Sequence, residues 1–441
     1  MTITEFRDVL LRFFVLISIM LFLSLFLDGC GDKCENSKTY YYYEPVYTPM
    51  SEIRAAVALE SPREMEVTGK IYLYENTLLI NEPGMGIHVI DNSNPSNPVF
   101  KHFINIPGNF DMAVKNNILY ADSYMDIVAI NLSDNNFSEV HRIEDVYHNI
   151  NSFGIYPDAE LGVVTDWEKK ETIESFETEC DGFNNGGILR RGGGWLVDIA
   201  NDAVFTSESS FYKNANVINT TGIAGSMARF AITGNSLYAI DDWQLYVFDI
   251  SNQIEPDLDN TIELGWGIET IFPYKNNLFI GANNGMHIYD NSNPAEPVYL
   301  SSFMHFTACD PVVVNDDYAF VTLRSENACQ GFVNQLDVIN IQDLSSPSLV
   351  KSYTMKNPHG LGIDNTSLFL CEGEFGLKVY DIDDIHAIDD HLIEEIKGIN
   401  AFDVIPFQNN LILIGDDGLY QYDYSDPENL KLLSHLSVNL Q

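Results

Sequence analysis

Eight polar side chains, Lys70, Asp111, Asn151, Arg229, Glu269, Asp310, His359 and Asp403, stand at the head of short apolar runs spread along the chain. Gathered around one opening, they could hold an ion, a sugar or a peptide end, although ordered water is the commonest occupant of such a mouth. Asp111, Asp310 and His359 also have the groups needed for carboxylate-assisted hydrolysis, the chemistry of a carbohydrate-active enzyme. The sequence has no G-x-S-x-G elbow, no H-E-x-x-H helix, no phosphate-binding loop and no Cys-x-x-Cys pair beside them. Catalysis is therefore not assigned, the reading favours a non-enzyme, and no cofactor is expected.

The elements that must position these residues form a repeat. Each unit runs through a short apolar strand, an Asn/Asp turn, a second strand such as Ile118-Leu119-Tyr120, another turn, and a strand that ends in Asp or Asn. That last strand ends at Asp91, Asn131, Asp198, Asp249, Asp290, Asn340, Asp381 and Asp423, at intervals of 40, 67, 51, 41, 50, 41 and 42 residues. No long stretch shows a 3.6-residue period, so the class is all-β. A unit of about 45 residues with four short strands cannot bury its faces alone, and closing the units into a ring solves this. The expectation is a β-propeller of eight four-stranded blades, with seven the alternative if the long third unit is irregular.

The turns have their own chemistry. Asp91-Asn92-Ser93-Asn94-Pro95-Ser96-Asn97-Pro98 returns as Asp290-Asn291-Ser292-Asn293-Pro294-Ala295-Glu296-Pro297. Asp and Asn side chains bond their own backbone two residues on, and proline fixes φ. Calcium ligation is the weaker reading, because no D-x-[DN]-x-[DN]-G loop with a closing Glu is present. His88 and His287 occupy matching third-strand positions, which argues for structural roles.

Two insertions, about 168–194 and 324–335, are both expected between second and third strands. They would share one face of the ring, where inserted loops often build a binding surface. Cys309, Cys329 and Cys371 would lie on that face. A Cys309–Cys329 disulfide is the favoured pairing, Cys329–Cys371 the second, and spacing does not settle the choice.

The 23 Lys and Arg against 64 Asp and Glu give a formal charge of −41. Such a field repels nucleic-acid phosphates and disfavours electrostatic docking on anionic lipid. A hydrophobic share of 45% excludes an acidic disordered tail. Arg7 and Arg12 precede an apolar run from Phe13 to Leu27, short for a membrane span but suited to a secretory leader. The run ends in Leu27-Asp28-Gly29-Cys30, which resembles the lipobox of bacterial lipoproteins, with Asp28 departing from the usual small or apolar residue. The implied organisation is a lipoprotein signal peptide over 1–29, a lipid-anchored tether over 30–65 with the lipid on Cys30, and the propeller over 66–441. Two or three acyl chains anchor such a protein stably.

The stretch Ile87–Pro98 with its echo Gly285–Pro297, Ile106-Pro107-Gly108-Asn109-Phe110-Asp111 followed by Leu119–Tyr124, and Asn357-Pro358-His359-Gly360-Leu361-Gly362 resemble the LVIVD-repeat lipoproteins of Bacteroidetes and related bacteria. The resemblance covers roughly residues 50–441. It implies an exported propeller lipoprotein of the bacterial outer membrane, facing the periplasm or the cell surface, and brings no catalytic residues with it. The expected role is a binding module, a monomeric ring whose partner is another envelope protein or an extracellular polymer. The alternative is a hydrolytic propeller acting at the channel mouth.

Overall fold

A computed structural model of the protein describes residues 15–18, 33–133, 137–147, 157–158, 160–179, 222–304, 311–324 and 333–438. Cys30 and all of the expected leader except residues 15–18 lie outside these, as do Asn151, Cys180, Cys309, Asp310 and Cys329. The chain divides into two compact units, residues 1–46 with 166–202 and residues 47–165 with 203–441. In a two-stranded ribbon, Lys33–Thr48 pairs with Val163–Glu179. Lys169 Nζ sits 4.3 Å over the Tyr41 ring there.

The second unit is a β-propeller with seven blades of four antiparallel strands, numbered from inner to outer strand. Blade 1 is Ile71–Tyr74, Thr77–Glu82, Gly86–Asp91 and Val99–Asn105, and blade 2 is Met112–Lys115, Ile118–Ser123, Asp126–Asn131 and Ser138–Ile143. Blade 3 is Phe230–Thr233, Ser236–Ile240, Gln244–Asp249 and Asp257–Glu263, and blade 4 is Ile268–Tyr274, Asn277–Ala282, Gly285–Asp290 and Val298–Met304. Blade 5 is Val312–Val314, Tyr318–Leu323, Gln335–Asn340 and Ser348–Thr354. Blade 6 is Leu361–Asp364, Ser367–Cys371, Leu377–Asp381 and Leu392–Ile396, and blade 7 is Ala401–Phe407, Asn410–Gly415, Gly418–Asp423 and Lys431–Ser437.

The ring closes on the alternative count of seven rather than on eight. The repeat copy expected at Trp195–Asp198 lies outside the described residues, and blade 2 packs directly on blade 3 without it. Met112, Val128 and Ile130 share one buried cluster with Phe230, Leu237 and Tyr246. This moves the first insertion. It leaves after the outer strand of blade 2 and returns before the inner strand of blade 3, instead of lying between second and third strands. The second insertion does join the second and third strands of blade 5.

The turn chemistry read from sequence is present in every blade. Each of the seven terminal residues, Asp91, Asn131, Asp249, Asp290, Asn340, Asp381 and Asp423, accepts the N–H two residues on at 2.7–3.0 Å. The Ser93 hydroxyl and N–H, with Lys101, pull the Asp91 carboxyl down to about 2. A one-residue bulge recurs between third and outer strands in all seven blades, and a bulge bends and twists the strand that carries it. On the first-to-second turns, Glu75, Asn117, Lys275, Asn365 and Asn409 take positive φ, the tight-hairpin geometry Asn tolerates best.

All four strands of each blade come from one contiguous stretch, so no exchanged strand locks the ring. Ala58–Glu60 only adds a fifth strand outside blade 1. Closure rests on side chains instead. Ile405, Ile412 and Leu419 of blade 7 pack with Ile71, Leu78 and Ile90 of blade 1. Beside them the buried Asn92 and Gln421 amides exchange two hydrogen bonds, at 2.9 and 2.7 Å. Gln421 Oε1 also accepts from Asn410 at 2.7 Å, and Ser434 Oγ donates to the Pro95 carbonyl at 2.6 Å. Gln421→Leu strands the buried Asn92 amide and removes a partner of the half-buried Asn410, which costs about 2–3 kcal/mol. Urea unfolding should show that loss, and a change under about 0.5 kcal/mol would remove the latch from the account of closure.

Candidate functional site

The structure brings three of the expected channel residues together. Lys70 Nζ donates to Asp111 Oδ2 at 2.6 Å, with both side chains buried. The same oxygen accepts the Phe230 N–H at 3.1 Å and the Arg229 N–H, while Asp111 Oδ1 accepts the Met112 N–H at 2.7 Å. Burial pulls the Lys70 ammonium below its ordinary value, against the pull of Asp111. One carboxylate therefore ties the heads of the inner strands of blades 1, 2 and 3. Arg229 turns outward, donating to Asp242 Oδ1 at 2.7 Å and to the Ile268 carbonyl at 3.3 Å, with Glu269 adding to its field.

Asp403 and His359 lie elsewhere on the ring. Thr322 Oγ1 donates to the His359 carbonyl at 2.8 Å, and the imidazole lies against Arg324 and the Phe402 ring. Asp403 Oδ1 accepts from both N and Oγ of Ser226, each at 3.3 Å. Asn151 and Asp310 lie outside the described residues, as do both cysteines of the favoured Cys309–Cys329 pair, while Cys371 is buried at the end of a blade 6 strand.

Ser226 belongs to a segment that the repeat pattern did not flag. Ile223–Ala224 pairs with Leu73 and Tyr72 along the inner edge of blade 1. Gly222 N–H donates to the Val114 carbonyl of blade 2 at 3.1 Å, and Ile271 N–H of blade 4 donates to the Ala228 carbonyl at 2.8 Å. Leu361 N–H of blade 6 donates to Ser226 Oγ at 3.0 Å, and Asp403 belongs to blade 7. A stretch that bonds to the inner strands of blades 1, 2, 4, 6 and 7 must lie at the centre of the ring. Ala224, Ser226, Met227 and Ala228 are all buried there. Gly360 is glycine for this reason: a Cβ would stand 2.3 Å from Asp403 Oδ1 and 2.9 Å from Ser226 Oγ. Of the residues expected to ring an opening, Lys70, Asp111 and Arg229 thus bond to one another, and Asp403 bonds to this central segment.

Among the described residues no group of three or more His, Cys, Asp or Glu is gathered as a metal would need. His88 is wholly buried, 3.1 Å from Glu82 Oε2 and edge-on to Phe100 and Phe103. The loops joining second to third strands, and outer strands to the next blade, share the face that receives both insertions. That face also carries an exposed pair missed from sequence, Trp243 and Trp266, with ring centroids 5.0 Å apart.

No curated protein matches this chain. Among solved structures it is similar to BamB from Moraxella catarrhalis, at 7% identity and TM-score 0.48 over 88% of this chain and 97% of that one. It is also similar to the computationally designed Ika8 protein, at 10% identity and TM-score 0.47 over 86% and 90%. Kluyveromyces lactis Hsv2 with its complete loop 6CD aligns at 9% identity and TM-score 0.45 over 84% and 100%. At the level of sequence the chain carries LVIVD repeats: residues 68–105, 274–305 and 307–355 match that repeat, each stretch falling within one blade, the first, fourth and fifth.

Proposed function

We propose that this protein is a non-catalytic interaction module, held by lipid on Cys30 at the bacterial outer membrane, facing the periplasm or the cell surface. Its partner is another envelope protein, met on the face that receives the two insertions. The observation that carries this reading is the bonding at the centre of the ring. Residues Gly222–Ala228 and the Lys70–Asp111 pair bond the inner strands to each other, so the groups best suited to a channel-mouth site already hold the ring together. The insertion face, by contrast, presents long loops on a rigid scaffold, the usual seat of recognition.

Crosslinking of the tagged full-length chain in cells, followed by mass spectrometry, tests the proposal. One dominant protein should be captured, and replacing residues 181–218 with a short Gly/Ser linker should reduce its capture at least tenfold while the ring still melts cooperatively. Capture unaffected by that replacement would remove the first insertion from the interface. Failure to capture any protein would overturn this reading.

A further inference from the structure

Trp243 and Trp266 are exposed by 47% and 58%. They do not dangle from free loops. Trp243 tips the hairpin between the second and third strands of blade 3, where Asp241 Oδ1 accepts the N–H groups of Trp243 and Gln244 at 2.8 and 2.7 Å. Trp266 sits in the linker from blade 3 to blade 4, between Gly265 and Gly267, both at positive φ. Four backbone bonds clamp linker to hairpin: Leu264 and Gly265 N–H to the Trp243 carbonyl, and Gly267 and Ile268 N–H to the Asp242 carbonyl, at 2.8–3.2 Å. Gly267 has φ +83°, which side chains rarely adopt, and a Cβ there would also fall 2.1 Å from the Asn283 amide. Two large aromatic rings held rigidly in solvent are a preorganised surface, and preorganisation lowers the cost of binding.

The surroundings select the ligand. Asp241 and Asp242 directly precede Trp243, Glu263 pairs with Gln244 across the strands, and Glu269 follows in the next strand, while Arg229 is paired with Asp242. The rings meet at 57°, which offers no flat shared platform for a sugar but leaves indole surface on each for a cation to approach. Cations bind aromatic faces, tryptophan best, and a carboxylate border adds to the attraction. We infer that Trp243 and Trp266 form the docking point for arginine or lysine side chains of a basic segment in the partner protein. This rests on the interaction-module reading and gives its partner a chemistry.

The test uses the full chain with 15N-labelled tryptophan, the indole signals being assigned by Trp243→Phe and Trp266→Phe. Acetylated tetra-arginine at physiological salt should shift the indole signals of Trp243 and Trp266 saturably, and tetra-glutamate should not. Trp243→Ala with Trp266→Ala should weaken tetra-arginine binding about tenfold by calorimetry, with the melting temperature unchanged because both rings are exposed. Equal affinity in the double variant would mean diffuse attraction to an acidic surface and would overturn the inference. So would an absence of indole shifts, or shifts produced by cellotetraose but not by tetra-arginine. In-cell capture separates the two ideas: a partner still crosslinked by the double variant defeats the docking point while the module stands, and no partner for the native chain defeats the module.

Discussion

Asp111→Ala should lower the stability of the propeller by about 3 kcal/mol, because it takes the bonded counter-charge from the buried Lys70 ammonium and leaves only the field of Asp122. The loss is larger than for an ordinary ion pair. Asp111 also accepts the Met112, Arg229 and Phe230 N–H groups, so two buried backbone donors and one half-buried donor are stranded with the cation. Lys70→Met should cost less than this, since a carboxylate with three N–H donors remains partly satisfied. The double variant Lys70→Met/Asp111→Leu should be milder than the sum of the two, the signature of coupled neighbours. Urea titrations of the four proteins give the numbers, and strict additivity would show that the pair does not act as a unit. The same cycle bears on the hydrolytic alternative: loss of a turnover on changing Asp111 would say nothing about catalysis unless the melting transition survived.

Asp126→Asn should loosen the helix Met50–Ala55 from blade 2, at a cost of about 1–3 kcal/mol near neutral pH, because Arg54 keeps Glu144 and Asp145 and Arg142 keeps Glu139. Asp126 is buried, and Arg54 of the helix Met50–Ala55 reaches it with two donors, Nε at 2.8 Å and Nη2 at 3.0 Å. Arg142 adds a third bond at 2.9 Å and the Asp145 N–H a fourth at 3.0 Å. Burial pushes the Asp126 carboxyl up, but Arg54, the Asp145 N–H and Arg142 outweigh it and hold the group below the ordinary carboxylate value. A carboxyl depressed in the folded state contributes its stability above the unfolded value of about 4, and loses it as pH falls through the lower folded value. The native chain should therefore lose this contribution progressively below about pH 4, and the asparagine variant should show a flatter acid limb. Hydrogen exchange across residues 50–55 should accelerate in the variant; unchanged protection there would show that the helix is held by its other contacts.

The blades were legible because each is local. Strand, Asn/Asp turn, strand and terminal Asp or Asn all fall within about 40 residues, and the Asx bond spans two, so sequence periodicity reports them directly. Among the inner-strand heads read from sequence, Lys70, Asp111 and Arg229 each immediately precede an inner strand, and Asp403 lies inside one. The partners of these residues were not legible. Asp403 meets Ser226 across 177 positions, and a two-residue strand such as Ile223–Ala224 has no period to detect.

The sequence by itself determined the all-β class, the repeated four-strand unit, its turn chemistry and the LVIVD match, because these depend on residues close together in the chain. Only the tertiary structure decided the blade number, the strand bonded at the centre and the Trp243–Trp266 pair. Ring closure brings Asn92 to Gln421 over 329 positions, and no local pattern encodes how many units fit before the last one meets the first. The centre is filled by whichever segment packs against all the inner strands at once. The tryptophans lie on separate loops, and their meeting depends on the backbone bonds between hairpin and linker.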